Sequence, residues 1–324
     1  MVARTRFVVI AIAAAAALLA AQSVPAQTYP ARAVRVVVAS TPGSSPDVVA
    51  RLLAQKLTER LGQQVVVENR AGVGGNLGAE AVARAAPDGY TLLLVMSSHA
   101  IGVALYKTLA YDLARDLAAV APIATTPTLL VAHPALPVTS VKALIALARA
   151  RPGELLLGSG GAGTPPHLCA EMFRGAAKIS FVHVPYKGIS PALTDLAAGQ
   201  LQFAFSSLPA VMSFVRSGRL RALGVTTLAR TNLAPGVPAI AETLPGFEAL
   251  GWFGIAAPAV TPGAVIERLH GAVQASMAQP DLIEALRNQG AEPMAGTTAQ
   301  FGAFTASEIR KWGEVVKSID LKPE

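Results

Sequence analysis

The chain contains a serine–histidine run and a serine pair, residue types that could support nucleophilic catalysis. Ser97, Ser98 and His99 follow the apolar run TLLLVM, and Ser206 and Ser207 follow LQFAF in the same way. Catalysis needs a nucleophile, a base and an orienting group that converge, which neighbours in sequence rarely do. The sequence also lacks the GxSxG turn of many hydrolases. We therefore assign no catalytic residue, although a secreted hydrolase or a carboxylate-modifying enzyme stays the alternative.

A glycine-rich segment could bind a phosphate or a carboxylate. Gly158, Gly160 and Gly163 in GSGGAGTPP have the GxGxxG spacing of a dinucleotide-binding turn. That motif needs an acidic residue after the next strand to bind the ribose, and the next apolar run ends at 184–186 without one. The earlier run AGVGGNLG misses the spacing. We therefore expect no nucleotide and no other cofactor, but an anion could still lie on the backbone of this loop.

A third candidate is the loop STPGSSPD, which follows an apolar run and precedes a helical pattern. Ser45 is the expected N-cap, with Pro46 at the first helical position. The free N–H groups of such a helix start can bind an anion. A plain strand-to-helix turn with a good cap explains the same residues equally well.

Metal and thiol chemistry have little support. The single cysteine, Cys169, is expected to be a small buried apolar residue and allows no internal disulfide. The histidines stand singly, without the paired spacing of a metal site, at positions 99, 133, 167, 183 and 270. We therefore predict no metal site.

The composition raises the question of a membrane protein, because 52% of the 324 residues are hydrophobic and only 15% are charged. Residues 1–26 have the layout of a cleavable signal peptide: Arg4 and Arg6, the apolar run FVVIAIAAAAALLAA, and a small residue at Ala26. A membrane anchor is the alternative, but the run is shorter than the ~20 residues that span a bilayer. We therefore predict an exported, periplasmic protein.

The charge pattern argues against nucleic acid as a partner. Removal of the signal peptide takes two arginines and no acid, so the net charge falls from +7 to +5. The basic residues are scattered, whereas a nucleic-acid surface clusters them.

The order of apolar runs and helical periodicities predicts an α/β fold. Residues Val49, Leu53 and Leu57 give one helix an apolar face over 47–61. Uninterrupted Val/Ile/Leu runs indicate strands buried on both faces, hence a mostly parallel sheet in each lobe. The predicted strands cover 34–40, 64–69, 88–96, 129–133, 154–159, 179–184, 201–207 and 220–227.

Two proline-rich segments, 121–137 and 250–263, are predicted to cross between domains. They divide the chain into a discontinuous first lobe, 27–126 with 252–324, and a second lobe, 127–251. After the second crossing we expect helices only, the last of them capped by the box Thr297–Gln300.

Taken together, these motifs resemble one known family along nearly the whole chain. The chain is similar to the substrate-binding proteins of tripartite tricarboxylate transporters, also called Bug receptors. The resemblance rests on these segments, in this order: PGSSPDVVAR, LGQQVVVENRAGVGGNLG, APDGYTLL, GSGGAGTPPHLCAEMF, VPYKGISPALTDLAAGQLQFAF, LRALGVTT and PGVPAIAETLPGFEALGWFGIAAPAVTP.

The resemblance implies a type II-like periplasmic binding protein whose two lobes close on a small organic carboxylate. It implies a monomer that delivers this ligand to membrane transport subunits; a sensor with the same fold is a further alternative. The ligand-binding residues it implies in the first lobe are Gly43, Ser44, Ser45, Asp47, Ser97, Ser98 and His99. Those it implies in the second lobe are Gly160, Gly161, Gly163, Thr164, Ser206 and Ser207.

The loop STPGSSPD departs from the family pattern at one position. The family usually has Pro-Gly-Gly, whereas Ser44 follows Gly43 here. A serine would be strained if position 44 required a positive φ.

Overall fold

The computed structural model describes residues 29–319. From Arg32 onward the described residues belong to the second of two units into which the chain divides. The predicted signal peptide lies outside the described residues. In the described range, no helix has the length and apolar character needed to cross a bilayer.

The second unit alternates strands and helices along the chain. Its strands are β1 (Val34–Val38), β2 (Val65–Asn69), β3 (Thr91–Met96), β4 (Leu117–Ala132), β5 (Leu156–Ser159), β6 (Val182–Pro185), β7 (Phe203–Ser207), β8 (Arg221–Val225), β9 (Leu250–Pro258) and β10 (Glu292–Pro293). Its helices are α1 (Ser45–Leu61), α2 (Asn76–Ala83), α3 (Ser97–Leu105), α4 (Val141–Ala150), α5 (Pro165–Ala177), α6 (Ile189–Ala197), α7 (Leu208–Arg216), α8 (Gly263–Met277), α9 (Pro280–Asn288) and α10 (Thr298–Ser318).

The strands form one continuous sheet with the order β2-β1-β3-β9-β4-β7-β5-β6, and β8 and β10 pair with β4. The pairs β1–β2, β1–β3, β5–β6 and β5–β7 are parallel. The other described pairs are antiparallel, and each of them includes β4 or β9. The predicted α/β architecture is confirmed, and the sheet is mixed because these two long strands run back between its parallel parts.

Strand β4 is shared by the two parts of the sheet. Its residues up to Pro127 pair with β9, and its residues from Thr128 onward pair with β7 and β8. The strand tolerates proline because the β4–β9 register shifts next to Pro122, where a bulge replaces regular pairing. The proline-rich segment 121–137 therefore contains a strand that belongs to both parts.

The local predictions hold where one helix face is strongly apolar or a cap is strong. Val49, Leu53 and Leu57 of α1 are buried as predicted. Thr297 accepts the N–H of Gln300, and the Gln300 side chain accepts the N–H of Thr297, so α10 begins with the predicted capping box.

Helix α3 differs from the prediction of a loop at 97–99. It begins at Ser97 directly after β3, and its buried residues include His99, Ala100 and Ile101. Gly102 lets the Asn76 side chain of α2 approach, since a Cβ there would lie 3.1 Å from Asn76 Oδ1. Tertiary packing, rather than a sequence periodicity, therefore defines this helix.

Candidate functional site

Two adjoining cavities lie among loops that follow strands, and they share Gly74, Ser98 and Pro165. The first has a volume of about 240 Å³ and is lined by Gly74, Ser98, Ile101, Gly102, Leu105, Tyr106, Ala162, Gly163, Thr164 and Pro165. The second has a volume of about 410 Å³ and is lined by Ala39, Ser40, Thr41, Pro46, Ala71, Gly72, Gly74, Gly75, Met96, Ser97, Ser98, Pro165 and Phe253. Together they form one cleft, which has room for a small molecule.

The cleft lies at the carboxyl ends of parallel strands, which is where open α/β sheets bind ligands. The loops after β1, β2 and β5 each supply lining residues and lead into a helix, and the start of α3, directly after β3, lines the cleft as well. The N-termini of α1, α2, α3 and α5 therefore border the cleft. A helix N-terminus presents unpaired N–H groups and a partial positive charge, so this arrangement favours an anion.

The lining of the cleft contains no charged side chain among the described residues. Helix α3 has N–H groups on its first residues, Ser97 and Ser98, whereas Pro165 and Pro166 remove the donors from the first two positions of α5. The α3 N-terminus is thus the better provided with backbone donors. Tyr106 Oη and Ser98 Oγ have no hydrogen-bond partner among the described residues and can serve a ligand. Apolar surface comes from Ile101, Leu105, Met96 and Phe253.

After the loop STPGSSPD, helix α1 begins one residue earlier than predicted. The N-cap of α1 is Ser44, not Ser45, and Pro46 is the second helical residue. The left-handed residue is Gly43 (φ 76°), whereas Ser44 has φ −71°, so a serine at position 44 carries no backbone strain. Ser44 Oγ donates to the Thr41 carbonyl (2.6 Å) and lies 2.8 Å from Ser40 Oγ. Its hydroxyl therefore stabilises the loop rather than capping the helix.

Asp47 stabilises the same loop through a hydrogen bond to its backbone. Its buried carboxylate accepts hydrogen bonds from Gly43 N–H (2.8 Å), Arg51 Nε (3.0 Å) and Asn69 Nδ2 (2.9 Å). Burial alone would raise the pKa of Asp47, but the hydrogen bonds from Arg51, Gly43 and Asn69 outweigh it and hold the pKa below its usual value. The observed contacts of Asp47 are structural, and direct contact with a ligand stays a prediction.

His99 is fully buried, and its Nδ1 accepts the N–H of Met96 (3.0 Å). Nε2 lies against the backbone of Gly75 and has no hydrogen-bond partner of good geometry in the described structure. Burial lowers the pKa of His99 to about 4, so the imidazole is neutral near pH 7. His99 supports the start of α3 from inside the protein and is closed to solvent.

The second glycine-rich loop along the chain is GSGGAGTPP, residues 158–166. Side chains of the protein accept two of its backbone N–H groups. Gly161 N–H donates to Ser159 Oγ (3.1 Å), and Gly163 N–H donates to His167 Nδ1 (3.0 Å). Thr164 Oγ1 donates to the Gly161 carbonyl (2.8 Å). Ala162 N–H, in contrast, has no partner among the described residues. The loop therefore offers fewer backbone donors to a ligand than its glycine content suggested.

Ser206 and Ser207 lie at the end of β7 and line neither of the two cavities. Ser206 is fully buried, and its hydroxyl has no partner among the described side chains and backbone groups. Ser207 is exposed and is the N-cap of α7.

The structure brings Ser97, Ser98, Gly163 and Thr164 together in the cleft. The other predicted site residues do not line either cavity and keep their ligand roles as predictions: Gly43, Ser44, Ser45, Asp47, His99, Gly160, Gly161, Ser206 and Ser207. Sequence reasoning missed Gly74, Gly75 and Tyr106. Gly74 and Gly75 lie in AGVGGNLG, which was not considered a binding site because it lacks the GxGxxG spacing. Tyr106 follows α3, a helix that the sequence pattern did not predict.

Comparison with known proteins identifies the family of this chain. Residues 49–321 match the TctC family, described as the tripartite tricarboxylate transporter family receptor. Protein BugT of Bordetella pertussis is 40% identical over 305 residues, which cover 93% of this chain and 94% of BugT.

Two solved structures agree in fold and carry a carboxylate ligand. R. palustris Rpa4515 with adipate is 38% identical, with a TM-score of 0.76 over 89% of this chain and 97% of that one. MatC (Rpa3494) from Rhodopseudomonas palustris with bound malate is 31% identical, with a TM-score of 0.73 over 89% of this chain and 100% of that one. The chain thus belongs to the TctC family of Bug-type solute-binding receptors, whose members are periplasmic.

Proposed function

We propose that this protein captures a small organic acid, a mono-, di- or tricarboxylate, in the cleft and delivers it to a tripartite tricarboxylate-type membrane transporter. The signal peptide predicted for residues 1–26 takes it to the periplasm, where it acts as a monomer. The observation that supports this proposal best is an uncharged cleft bordered by several helix N-termini.

The lining has polar and apolar groups that suit an aliphatic carboxylate. Carboxylate oxygens can accept the N–H groups at the start of α3 and the hydroxyls of Ser98 and Tyr106. The carbon chain can contact Ile101 and Leu105 on the same wall. The adipate and malate seen in related structures are molecules of this kind.

Hinge closure is the proposed mechanism of capture. The first lobe consists of residues 27–126 and 252–324, and the second lobe of residues 127–251. Strand β4 crosses between them, since its pairing partners change between Pro127 and Thr128. The return crossing is near Leu250, since Ala249 N–H still donates to Thr226 while Leu250 already pairs with Pro127. A ligand that contacts Ser98 on one side and Thr164 on the other stabilises the closed form by differential contacts.

The buried position of His99 argues against an enzyme. His99 is fully buried with Nδ1 engaged by Met96 N–H, so it has no open path to a substrate at Ser98. A ligand sensor of the same fold would use the same cleft and differ only in its partner.

Thermal-shift screening of the purified protein against a panel of organic acids tests the proposal. Malate, adipate, citrate and monocarboxylates are each tested, and at least one should raise Tm, because a ligand that binds only the folded state stabilises it. Native mass spectrometry of freshly purified protein identifies a ligand that co-purifies. No response to any acid, together with turnover of an ester, would overturn the receptor proposal.

A matched pair of variants tests the location of the site. Ser98→Phe places a ring in both cavities and should abolish the ligand-induced rise in Tm. Ser307→Phe changes an exposed serine of α10 and should leave it intact. Equal ligand responses in the two variants would remove the cleft from the proposal.

A further inference from the structure

We propose that His167 is a positioning residue for ligand capture: it holds the second glycine-rich loop so that Ala162 N–H and Thr164 face the cleft. This inference rests on the proposed function and adds a residue that lies beneath the cleft rather than in it. His167 is 4% exposed and belongs to the first turn of α5.

The hydrogen bond from Gly163 determines the tautomer of His167. Since Nδ1 accepts Gly163 N–H at 3.0 Å, the imidazole proton is on Nε2. Nε2 lies 3.5 Å from Glu171 Oε1, and the same oxygen lies 3.1 Å from Arg174 Nη2. Glu171 is therefore placed to favour the tautomer that leaves Nδ1 free to accept.

A second histidine fixes the ring plane. The rings of His167 and His183 are stacked, with centroids 3.8 Å apart and an interplanar angle of 16°. His183 Nε2 lies 2.6 Å from Ser159 Oγ, which also accepts Gly161 N–H. Two N–H groups of the loop, from Gly161 and Gly163, are thus held by one connected group of side chains beneath it.

This attachment determines which part of the loop faces the ligand. Gly161 (φ 130°) and Gly163 (φ 73°) both have positive φ, which glycine adopts without steric cost but also leaves readily, so contacts to the loop are needed to keep this one conformation. With their N–H groups turned inward, the residue between them, Ala162, keeps a free N–H and lines the cleft with Thr164. His167 therefore acts on the ligand only through the loop.

Isosteric substitution separates positioning from simple packing. Asparagine places its Oδ1 close to the position of Nδ1, so His167→Asn keeps an acceptor for Gly163 N–H, whereas His167→Ala removes it. We expect the dissociation constant of the best acid in the panel, measured by calorimetry, to rise about tenfold in His167→Ala, the effect of one lost hydrogen bond. It should stay within about threefold of the unsubstituted protein in His167→Asn.

His133 provides a matched control, because its Nδ1 accepts Ala135 N–H (3.2 Å) in a turn that lines neither cavity. His133→Ala should leave the affinity unchanged. If His167→Ala does not fold, His167→Gln replaces it, since its amide reaches toward Glu171 and leaves no acceptor beside Gly163.

Amide hydrogen exchange at Gly163 gives a readout that needs no ligand. Exchange should be faster in His167→Ala and return toward the original rate in His167→Asn. Unchanged affinity in His167→Ala, or equal losses in His167→Ala and His167→Asn, would overturn the positioning role. A protein that binds no acid at all would instead overturn the proposed function, and Gly163 exchange would still report whether His167 holds the loop.

Discussion

Replacement of Glu308 by alanine should destabilise the protein strongly, because this carboxylate serves two buried tryptophans. Glu308 Oε2 accepts Nε1–H of Trp252 at 3.0 Å and Nε1–H of Trp312 at 3.1 Å, and its other oxygen pairs with Lys311. Trp252 is fully buried in β9, and Trp312 is 2% exposed in α10. The contact thus joins the last helix to the strand that returns from the second part of the sheet.

The expected loss follows from these contacts. Each indole N–H left buried without an acceptor costs roughly 1–3 kcal/mol of the free energy of unfolding. Lys311 adds little, since its side chain is 27% exposed and water can solvate the ammonium. Glu308→Ala should therefore lower the free energy of unfolding by about 4 kcal/mol. Glu308→Gln keeps an acceptor oxygen and the volume, and should cost less than half of that.

Urea denaturation at pH 7, followed by tryptophan fluorescence and circular dichroism, measures these losses. Arg84→Ala is the control, because Arg84 pairs with Glu80 on the surface of the protein and its side chain is 68% exposed. A surface pair of this kind contributes about 0.5 kcal/mol. If Glu308→Ala loses no more stability than Arg84→Ala, the two indole contacts are not what holds α10 to β9.

Three further predictions concern pH and glycine. Asp47 has a depressed pKa, so the stability advantage of the unsubstituted protein over Asp47→Asn should be full above about pH 5 and shrink as the pH falls below about 3.8 in urea titrations. Neutral His99, with its pKa lowered to about 4 by burial, resists protonation that an unfolded histidine accepts near pH 6.5. The stability of the unsubstituted protein relative to His99→Asn should therefore fall between about pH 6.5 and pH 4, and a constant difference would contradict burial of a neutral ring. In α10, Gly313→Ala meets no atom within 4 Å and should raise the free energy of unfolding by about 0.5–1 kcal/mol. Gly254→Ala in β9 would place Cβ 2.1 Å from Phe301 Cζ and should lower it by about 2 kcal/mol, and an opposite order of the two glycine variants in thermal denaturation would refute this packing.

Much of the fold could be predicted from local pattern. The apolar face of α1 and the box Thr297–Gln300 are short-range signals, and both are confirmed. Helix α3 was not predicted because its stability comes from packing against the distant helix α10, strand β9 and α2. The antiparallel pairing of β4 and β9 depends on which distant runs become neighbours, and a list of apolar runs does not contain that information.

The sequence predicted a site on loops and helix starts that follow strands, but it identified only some of the residues that line the cleft. Ser98 and Thr164 lie in segments that follow predicted strands, the resemblance implied that they bind a ligand, and both line the cleft. Tyr106 was missed because its position depends on α3. The glycine loop was expected to offer its backbone to a ligand, but Ser159 and His167 hold two of its N–H groups from below. No sequence spacing shows where a glycine N–H points.

The sequence by itself determined the family, the α/β class and the absence of Lys and Arg from the candidate loops, because these follow from residue types in order along the chain. Only the tertiary structure decided which loops share a cavity and which polar groups are already taken by the protein. Asp47 and His99 show the difference. Both were predicted to bind a ligand, yet burial and neighbouring N–H donors give each of them a partner within the protein. Hydrogen bonds form between groups that folding brings together, so the free donors of a binding site are known only once the fold has assigned the rest.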